Sequence, residues 1–450
     1  LAAKDSEGIH KFKAITFRDY WNFRLEKMRA VLAHRGNDAR GRYLKKHIGL
    51  SHSRLAIRDI LCGDQPMTRT HNGYEYTICY NGEIYNTDEL IPELSENGFV
   101  CSTTSDTEVI LYAYIHWGAD FVNRLNGIFA FAIWDAAKSR LLLYRDRVGV
   151  KPLFYAIRGD SLVFGSEPKA CFAHPAVKPE LDKQGLQELL AIGPAHTSGL
   201  SLFKDLFEVL PGHFMIYSQD GLHDETYWEL TSREHTESYR DTVAHTRFLV
   251  EDAIKRQMVS DVPVCTFLSG GIDSSIVTAI AANYMNTRGK TLNTFSFDFK
   301  DNDRYFKANA FQPERDLPYV NRMLEEYETA HSYLECDENS LFKALFAAVD
   351  AKDMPGMTDV DSSLLYFCSL VSRKNKVALT GECADEIFGG YPWFYRKELL
   401  ERYGFPWSSD VAPRLALLRD DVGFELDLSG YQAFRYEESR SKAPLLYGEA

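Results

Sequence analysis

No lysine follows the glycines of "TFLSGGIDSSIVTAI" at 266–280, so the G-x-x-x-x-G-K-[ST] phosphate loop is ruled out there. The spacing does not fit the dinucleotide fingerprint G-x-G-x-x-G either. Other absences narrow the class further. Lys and Arg number 51 against 64 Asp and Glu, a formal net charge of −13, and no basic stripe survives that balance, which argues against a nucleic-acid partner. The longest apolar stretches, such as "GIFAFAIW" at 127–134, are far too short to span a bilayer, so no membrane is expected. No basic start leads into an apolar run that would read as a signal peptide. The eight cysteines, at 62, 79, 101, 171, 265, 336, 368 and 383, include no C-x-x-C pair. That spacing suggests neither a zinc site nor a disulfide framework and points to a reducing cytoplasm. An initiator methionine is missing as well, since the first residue is Leu1; the reading is a chain that is processed or cut.

What is present reads as a soluble protein, 45% hydrophobic and 26% charged, and 450 residues long enough for two or three cores. Up to about residue 225, short apolar and aromatic runs alternate with turn residues, as in "GYEYTICYNGEIYN" at 73–86 and "PLFYAIRGDSLVFGSE" at 152–167. This predicts antiparallel strands and hairpins. A polar stretch at 218–241 reads as a linker. Beyond it Val243, Val250, Ile254 and Met258 recur at helical intervals, and apolar strands at 262–268, 291–297 and 376–380 alternate with helices. That alternation predicts a mostly parallel sheet covered on both faces. Two domains are expected, 1–225 and 226–450.

Ligands of open parallel sheets sit at the carboxyl ends of the strands. Leu268 ends one strand, Ser269, Gly270 and Gly271 form the turn, and Ser274 onward begins a helix whose backbone amides favour an anion. Asp273 beside a phosphate is repulsive unless a cation intervenes, so the arrangement calls for Mg2+. The plainer alternative is a glycine-rich turn with a capped helix. "ALTGECADEIFGGY" at 378–391 repeats the layout with Glu382, Asp385 and Glu386, and it too is open to reading as a capped helix with acidic residues in its first turn.

"SGGIDSS" resembles the pyrophosphate loop of ATP pyrophosphatases, and with "TGECADEIFGGY" downstream the chain resembles the B-type glutamine-dependent asparagine synthetases from about residue 30 to its end. The resemblance implies an α+β N-terminal four-layer αββα glutaminase-like sandwich, of the class II glutamine amidotransferase type. An α/β parallel-sheet ATP-pyrophosphatase domain follows. It implies phosphate roles for Ser269, Gly270, Gly271, Asp273 and Ser274, adenine contacts for Leu268 and Phe297, and a place beside the ribose for Thr380 and Gly381. It further implies that Glu382 is needed to form an acyl-adenylate and that Asp273 and Asp385 hold magnesium. ATP, aspartate, and glutamine or free ammonia are the substrates implied, and a homodimer is expected.

Asn-Gly between β-rich runs, in "CYNGEIYN" at 79–86, is a strong hairpin signal for a type I′ turn. The resemblance gives Asn81 and Gly82 an oxyanion hole to form, and a rigid turn is compatible with that. Arg54 in "SHSRLAIRD" offers a bidentate fork for an amino-acid carboxylate, and Glu83 with Asp106 offers the negative side for its ammonium. Taken singly, each reads as a solvated surface charge; their order matches the family's glutamine pocket. His34 and Arg35 in "AHRGND" receive no catalytic role.

The pattern departs from the family at both ends. The family's nucleophile is an N-terminal cysteine whose own α-amine serves as base. This chain begins "LAAKDSEGIHKF" and ends at Ala450 without the family's later "RVPF"-like segment, so truncation at both ends is expected. No aspartate-pocket residue is carried over from "DMPGMTDVDSS" at 353–363. Two competing readings remain: an adenylating cyclase of the β-lactam synthetase or peptide-cyclase type, and a non-catalytic nucleotide- or amino-acid-binding regulator.

Overall fold

The strand Gly127–Asp135 shows how the first half is layered. Side chains alternate across a strand, so Phe129, Phe131 and Ile133 face one side while Ala130 and Ala132 face the other. Both sides are buried, the large residues against helices and the alanines against more strands. A computed structural model describes residues 2–4, 10–12, 17–308, 314–408 and 410–442. The chain divides into two compact units, Leu1–Glu180 with Ser198–Glu229, and Leu181–Thr197 with Leu230–Ala450.

In the first unit, β1 (Ala2–Lys4) pairs with β2 (His10–Phe12), and α1 (Phe17–Ala30) follows. β3 (Ala39–Lys45) and β4 (Ile48–Arg54) form a two-stranded ribbon. β5 (Met67–His71), β6 (Tyr74–Ile84), β7 (Gly127–Asp135) and β8 (Arg140–Arg145) join β12 (His213–Ser218) and β13 (Gly221–Thr226) in an antiparallel sheet of order β13-β12-β8-β7-β6-β5. β9 (Phe154–Arg158), β10 (Ser161–Gly165) and β11 (Phe207–Glu208) make a three-stranded sheet of order β10-β9-β11. One face of the six-stranded sheet packs on α2 (Thr87–Glu96) and α3 (Asp106–Trp117). The other face packs on the two smaller sheets, through Ile48, Leu50 and Leu153. Those sheets are covered in turn by α1 and α4 (Pro168–Phe172), through Met28 and Cys171. The result is the expected αββα order of layers.

The second unit is built on four parallel strands: β14 (Val264–Phe267), β15 (Leu292–Phe299), β16 (Thr329–Cys336) and β17 (Val377–Leu379), in the order β16-β15-β14-β17. α5 (Lys183–Gln187) and α6 (Tyr239–Arg256) precede the sheet. Between the strands run α7 (Ile272–Asn286), α8 (Asn302–Tyr305), α9 (Leu317–Glu326), α10 (Glu338–Lys352) and α11 (Thr358–Val371). Ala281 and Ala282 of α7 pack on Val264 and Leu292, whereas Phe367 and Val371 of α11 pack on Cys265 and Phe295. Both faces are therefore covered. After β17 come α12 (Ala384–Phe388), α13 (Lys397–Leu400), α14 (Ala412–Leu415), α15 (Asp420–Leu426) and α16 (Leu428–Lys442).

Three local expectations need correction. The Asn-Gly pair at 81–82 is not a turn: both residues lie within β6, paired with Ala130 and Phe129 of β7. A Cβ on Gly82 would meet the Ile128 carbonyl oxygen at 2.2 Å, so close approach of β7, not chain reversal, requires glycine here. The hairpin turn falls instead on Asn72–Gly73, with φ of 50° and 80° and nothing within 4 Å of a Cβ on Gly73. Second, the stretch from 218 is not all linker, because Gly221–Thr226 forms β13 on the edge of the six-stranded sheet. Third, the helix after the first glycine turn starts at Ile272, two residues earlier than Ser274 suggested.

Residues 181–197 lie with the second unit, although the chain on either side belongs to the first. Ala191 and Ile192 pack with Val411, Leu426 and Leu428. Glu188, fully buried, accepts from Thr197 N at 2.7 Å and Thr197 Oγ1 at 2.9 Å, and also from the Tyr431 hydroxyl. Arg435 Nε lies 3.3 Å from it. Breaking a buried pair by removing one partner costs about 3–5 kcal/mol. Glu188→Ala is therefore expected to destabilise the second unit by about 3 kcal/mol, read as an earlier urea transition, while the first unit's transition stays in place.

Candidate functional site

The strand order of the second unit fixes where a ligand sits. The chain runs outward from β14 through β15 to β16 and then returns to place β17 on the opposite flank of β14. The reversal between β14 and β17 is a topological switch point, and crevices at such points open at the carboxyl ends of the strands. The turn after β14 is 268–271 and the turn after β17 is 380–383.

Leu268 is buried and anchors its turn: its N–H donates to Phe295 O at 2.8 Å and its carbonyl accepts from Ser296 Oγ at 2.5 Å. Gly270 takes φ +87°, and a Cβ there would meet Asp316 O at 2.8 Å and Tyr319 Cβ at 2.9 Å. Glycine is thus required by conformation and by space. Ser269 Oγ and Ser274 Oγ are 3.0 Å apart, Ser274 Oγ accepts from Ser269 N at 3.2 Å and donates to Gly271 O at 3.1 Å. The two hydroxyls tie the turn to the first turn of α7, whose N-cap is Gly271. Backbone amides at that terminus face an exposed turn, the arrangement that binds phosphate. Phe297 lies one strand over, its ring against Phe367 at 5.1 Å.

The second turn meets the first. A Cβ on Gly381 would lie 2.7 Å from Ser274 N and 2.8 Å from Asp273 Cβ, so the two backbones touch only because Gly381 has no side chain. Glu382 N donates to Thr380 Oγ1 at 3.4 Å, and Cys383 takes a left-handed φ of 69° before α12 begins. Asp385 feels the contact: burial first, then the like charges of Asp273 and Glu386, raise its carboxyl above the usual aspartate range. The Tyr391 hydroxyl donates to Glu386 Oε1 at 3.4 Å and is raised chiefly by burial and then by Glu386 and Asp385. Among the described residues no group of three or more His, Cys, Asp or Glu side chains assembles a metal cage. Two carboxylates that repel each other beside a phosphate turn nevertheless fit Mg2+, which is bound through one or two carboxylates plus phosphate oxygens and keeps several waters.

In the first unit a cleft of about 1820 Å³ opens beside β4 and β6, lined among others by Arg54, Asn81, Gly82, Glu83 and Asp106. The five expected residues are thus brought together, in unequal roles. Arg54 NH1 donates to Ile60 O and Asp64 Oδ1, both at 3.1 Å, and NH2 donates to Arg58 O at 3.1 Å and Asp59 O at 2.5 Å. Its fork holds the loop 58–64. Asp106 is buried, accepts from the Tyr80 hydroxyl at 2.9 Å and Ile84 N at 3.1 Å, and burial raises its carboxyl while Arg58 opposes the shift. The Asn81 side-chain nitrogen is buried with no hydrogen-bond partner among the described residues. Glu83 lies opposite Ile128, and its charge acts on Lys151, whose ammonium burial and Arg35 hold below the usual lysine range.

Alternate peptide groups of β6 face away from β7. Those of Tyr74, Tyr76 and Ile78 face β5, but that strand ends opposite Ile78. Beyond it Tyr80 N donates to Gln65 Oε1 at 2.6 Å and Tyr80 O is met by His52 Nε2 at 3.0 Å. Ile84 N goes to Asp106, and Ile84 O accepts from Arg58 NH1 at 2.8 Å. Gly82, between them on the same edge, has no cap for its N–H among the described residues. Sequence reasoning missed His52, Gln65 and Arg58. Their only signal was proximity, a Gln-Pro pair before a strand and charged or polar residues flanking Arg54.

An amidotransferase-like layered sandwich followed by a parallel sheet with a phosphate turn at its switch point defines the class. Residues 8–228 match the glutamine amidotransferase domain family, and residues 245–450 match the asparagine synthase family. The chain is 48% identical over 426 residues to Bacillus subtilis glutamine-hydrolysing asparagine synthetase 3, covering 94% of this chain and 69% of that protein. It is 32% identical to B. subtilis asparagine synthetase 1, over 83% of this chain and 56% of that one. An amidase (chyE) of Penicillium rubens is also 32% identical, over 86% and 58%. The chain therefore spans between roughly half and seven tenths of these relatives. It belongs to the asparagine synthetase family.

Asp385→Asn removes one of two repelling charges. Because the folded-state carboxyl lies above its ordinary value, the charged form costs stability as pH rises through that raised value, and the neutral amide does not. The variant is expected to show a small rise in Tm at pH 7 that vanishes at acid pH. A fall in Tm at pH 7 contradicts the repulsion.

Proposed function

We propose that this chain makes asparagine from aspartate, ATP and ammonia, with glutamine as the ammonia source. The observation that carries the reading is the contact of the Ser269–Ser274 turn with the Gly381–Asp385 turn at the switch point. A side-chain carboxylate is a poor acyl donor. The aspartate β-carboxylate oxygen attacks the α-phosphorus of ATP, a C–O–P bond forms, the α–β phosphoanhydride bond breaks, and pyrophosphate leaves. Ammonia then attacks the acyl carbon of β-aspartyl-AMP, AMP departs and a proton is released, leaving the amide.

The roles proposed for the residues follow from their positions. Amides of Gly270 and Gly271 and the Ser269 and Ser274 hydroxyls hold the departing pyrophosphate, whose growing charge they stabilise. Leu268 and Phe297 flank the adenine, and Thr380 with Gly381 lies beside the ribose. Glu382 acts where the acyl-adenylate forms. A magnesium ion held by Asp273 and Asp385 supplies positive charge against the phosphates.

In the first unit the open Gly82 N–H and the unpartnered Asn81 Nδ2 are proposed as oxyanion donors for glutamine hydrolysis. Arg54, Glu83 and Asp106 shape the amino-acid pocket. Cys79, two residues before Asn81, is not the nucleophile: its thiol donates to Ser51 O at 3.5 Å and burial pushes it up to about 12. All eight cysteines are free, which supports the cytoplasm as the compartment.

Pyrophosphate release is the direct test. With aspartate, ammonia, ATP and magnesium, release in step with asparagine formation is expected. Asp273→Asn is expected to lower it by about two orders of magnitude or more, the scale of losing a preorganised electrostatic contact. Release only with a different carboxylate overturns asparagine as the product, and no release with any carboxylate overturns catalysis.

A further inference from the structure

The open edge of β6 carries the proposed oxyanion donors, and an edge peptide without a neighbouring strand is free to tilt. Its three outward peptide groups are treated differently. Those of Tyr80 and Ile84 are clamped from the side, Tyr80 by Gln65 and His52, Ile84 by Asp106 and Arg58. Gly82, at the centre, is left open among the described residues. We propose that His52 and Gln65 are positioning residues for glutamine hydrolysis, holding the Tyr80 peptide so that Gly82 N–H and Asn81 Nδ2 point at one oxygen of the reacting amide. This rests on the reading of Asn81 and Gly82 as oxyanion donors.

Three features favour the assignment over ordinary edge capping. The two side chains reach one residue from different segments, Gln65 accepting from its N–H at 2.6 Å and His52 donating to its carbonyl at 3.0 Å, so the residue is held at both polar groups. The carbonyl can only accept, so His52 Nε2 carries hydrogen, and burial pushes the imidazole down to about 4, leaving it neutral. Its other nitrogen, Nδ1, is then buried without a partner among the described residues. An unsatisfied buried acceptor costs stability, which a residue present only for packing would avoid. The Tyr80 ring is held as well, its hydroxyl donating to Asp106 at 2.9 Å, so the residue before Asn81 is fixed at three polar groups.

A misplacement of about 1 Å at a reacting group costs on the order of 100-fold in rate. In the native enzyme, His52→Leu and Gln65→Leu are therefore expected to lower kcat for glutamine hydrolysis by about 10- to 100-fold, with KM for glutamine nearly unchanged, since the oxyanion forms only in the transition state. Asparagine synthesis from free ammonia stays at the native rate. His52→Gln, which keeps an N–H donor at similar reach, restores most of the lost kcat. Three results overturn the proposal: native kcat in both leucine variants, KM and kcat falling away together with the ammonia-dependent rate, or no rescue by glutamine at 52. Asn81→Ala is measured in parallel. If it leaves glutamine turnover intact, the oxyanion reading itself fails; if it abolishes turnover while the leucine variants are native, only the brace is wrong.

Discussion

Two like charges are brought together where the parallel sheet reverses direction, and the chemistry proposed for the second unit depends on that juxtaposition. Asp273 stands on the first turn of α7 and Asp385 on the first turn of α12. Neither position is remarkable for a helix, since acidic residues are favoured in first turns. What matters is that Gly381 lets the two turns touch, so that the Asp273 charge adds to burial in raising the Asp385 carboxyl. Crowding like charges is unfavourable unless something of opposite sign completes the site. On the function proposed above, a divalent cation with a polyphosphate would do so, and the surrounding amides and hydroxyls suit the same guest.

The first unit solves a different problem with the same economy of means. A strand that outruns its neighbour exposes peptide groups, and proteins usually blunt such edges. Here side chains from β4, the loop 54–65 and α3 cap alternate peptides and, among the described residues, leave one N–H bare beside an amide nitrogen with no partner. A gap in an otherwise satisfied edge marks a place where a ligand oxygen fits.

Much of the second unit was legible in its sequence because its signals are local. A glycine turn between an apolar strand and a helix is written in consecutive residues, and the turn at Ser269–Gly271 fell where expected, with the strand ending one residue before Leu268 and the helix starting two residues before Ser274. The partnership of the two acidic turns followed from the rule that parallel-sheet ligands gather at strand ends. The first unit was less readable. Asn-Gly at 81–82 and at 72–73 look alike over short range, and only the approach of β7, some 45 residues later, decides which one turns the chain. Arg54 read as a free fork because sequence does not show that the loop 58–64 wraps back over it. His52 and Gln65 carried no periodic signal, since their partner Tyr80 lies 28 and 15 residues away. The excursion of 181–197 into the second unit depends on partners beyond residue 410 and was invisible for the same reason.

The most direct test of the convergence is a double-mutant cycle on magnesium–ATP binding with Asp273→Asn and Asp385→Asn. Groups that share one cation are strongly coupled, whereas distant groups add. Calorimetry of the native chain, both single variants and the double variant is expected to show each single change weakening binding and the second change adding little to the first. Two independent losses that simply sum would contradict a shared site.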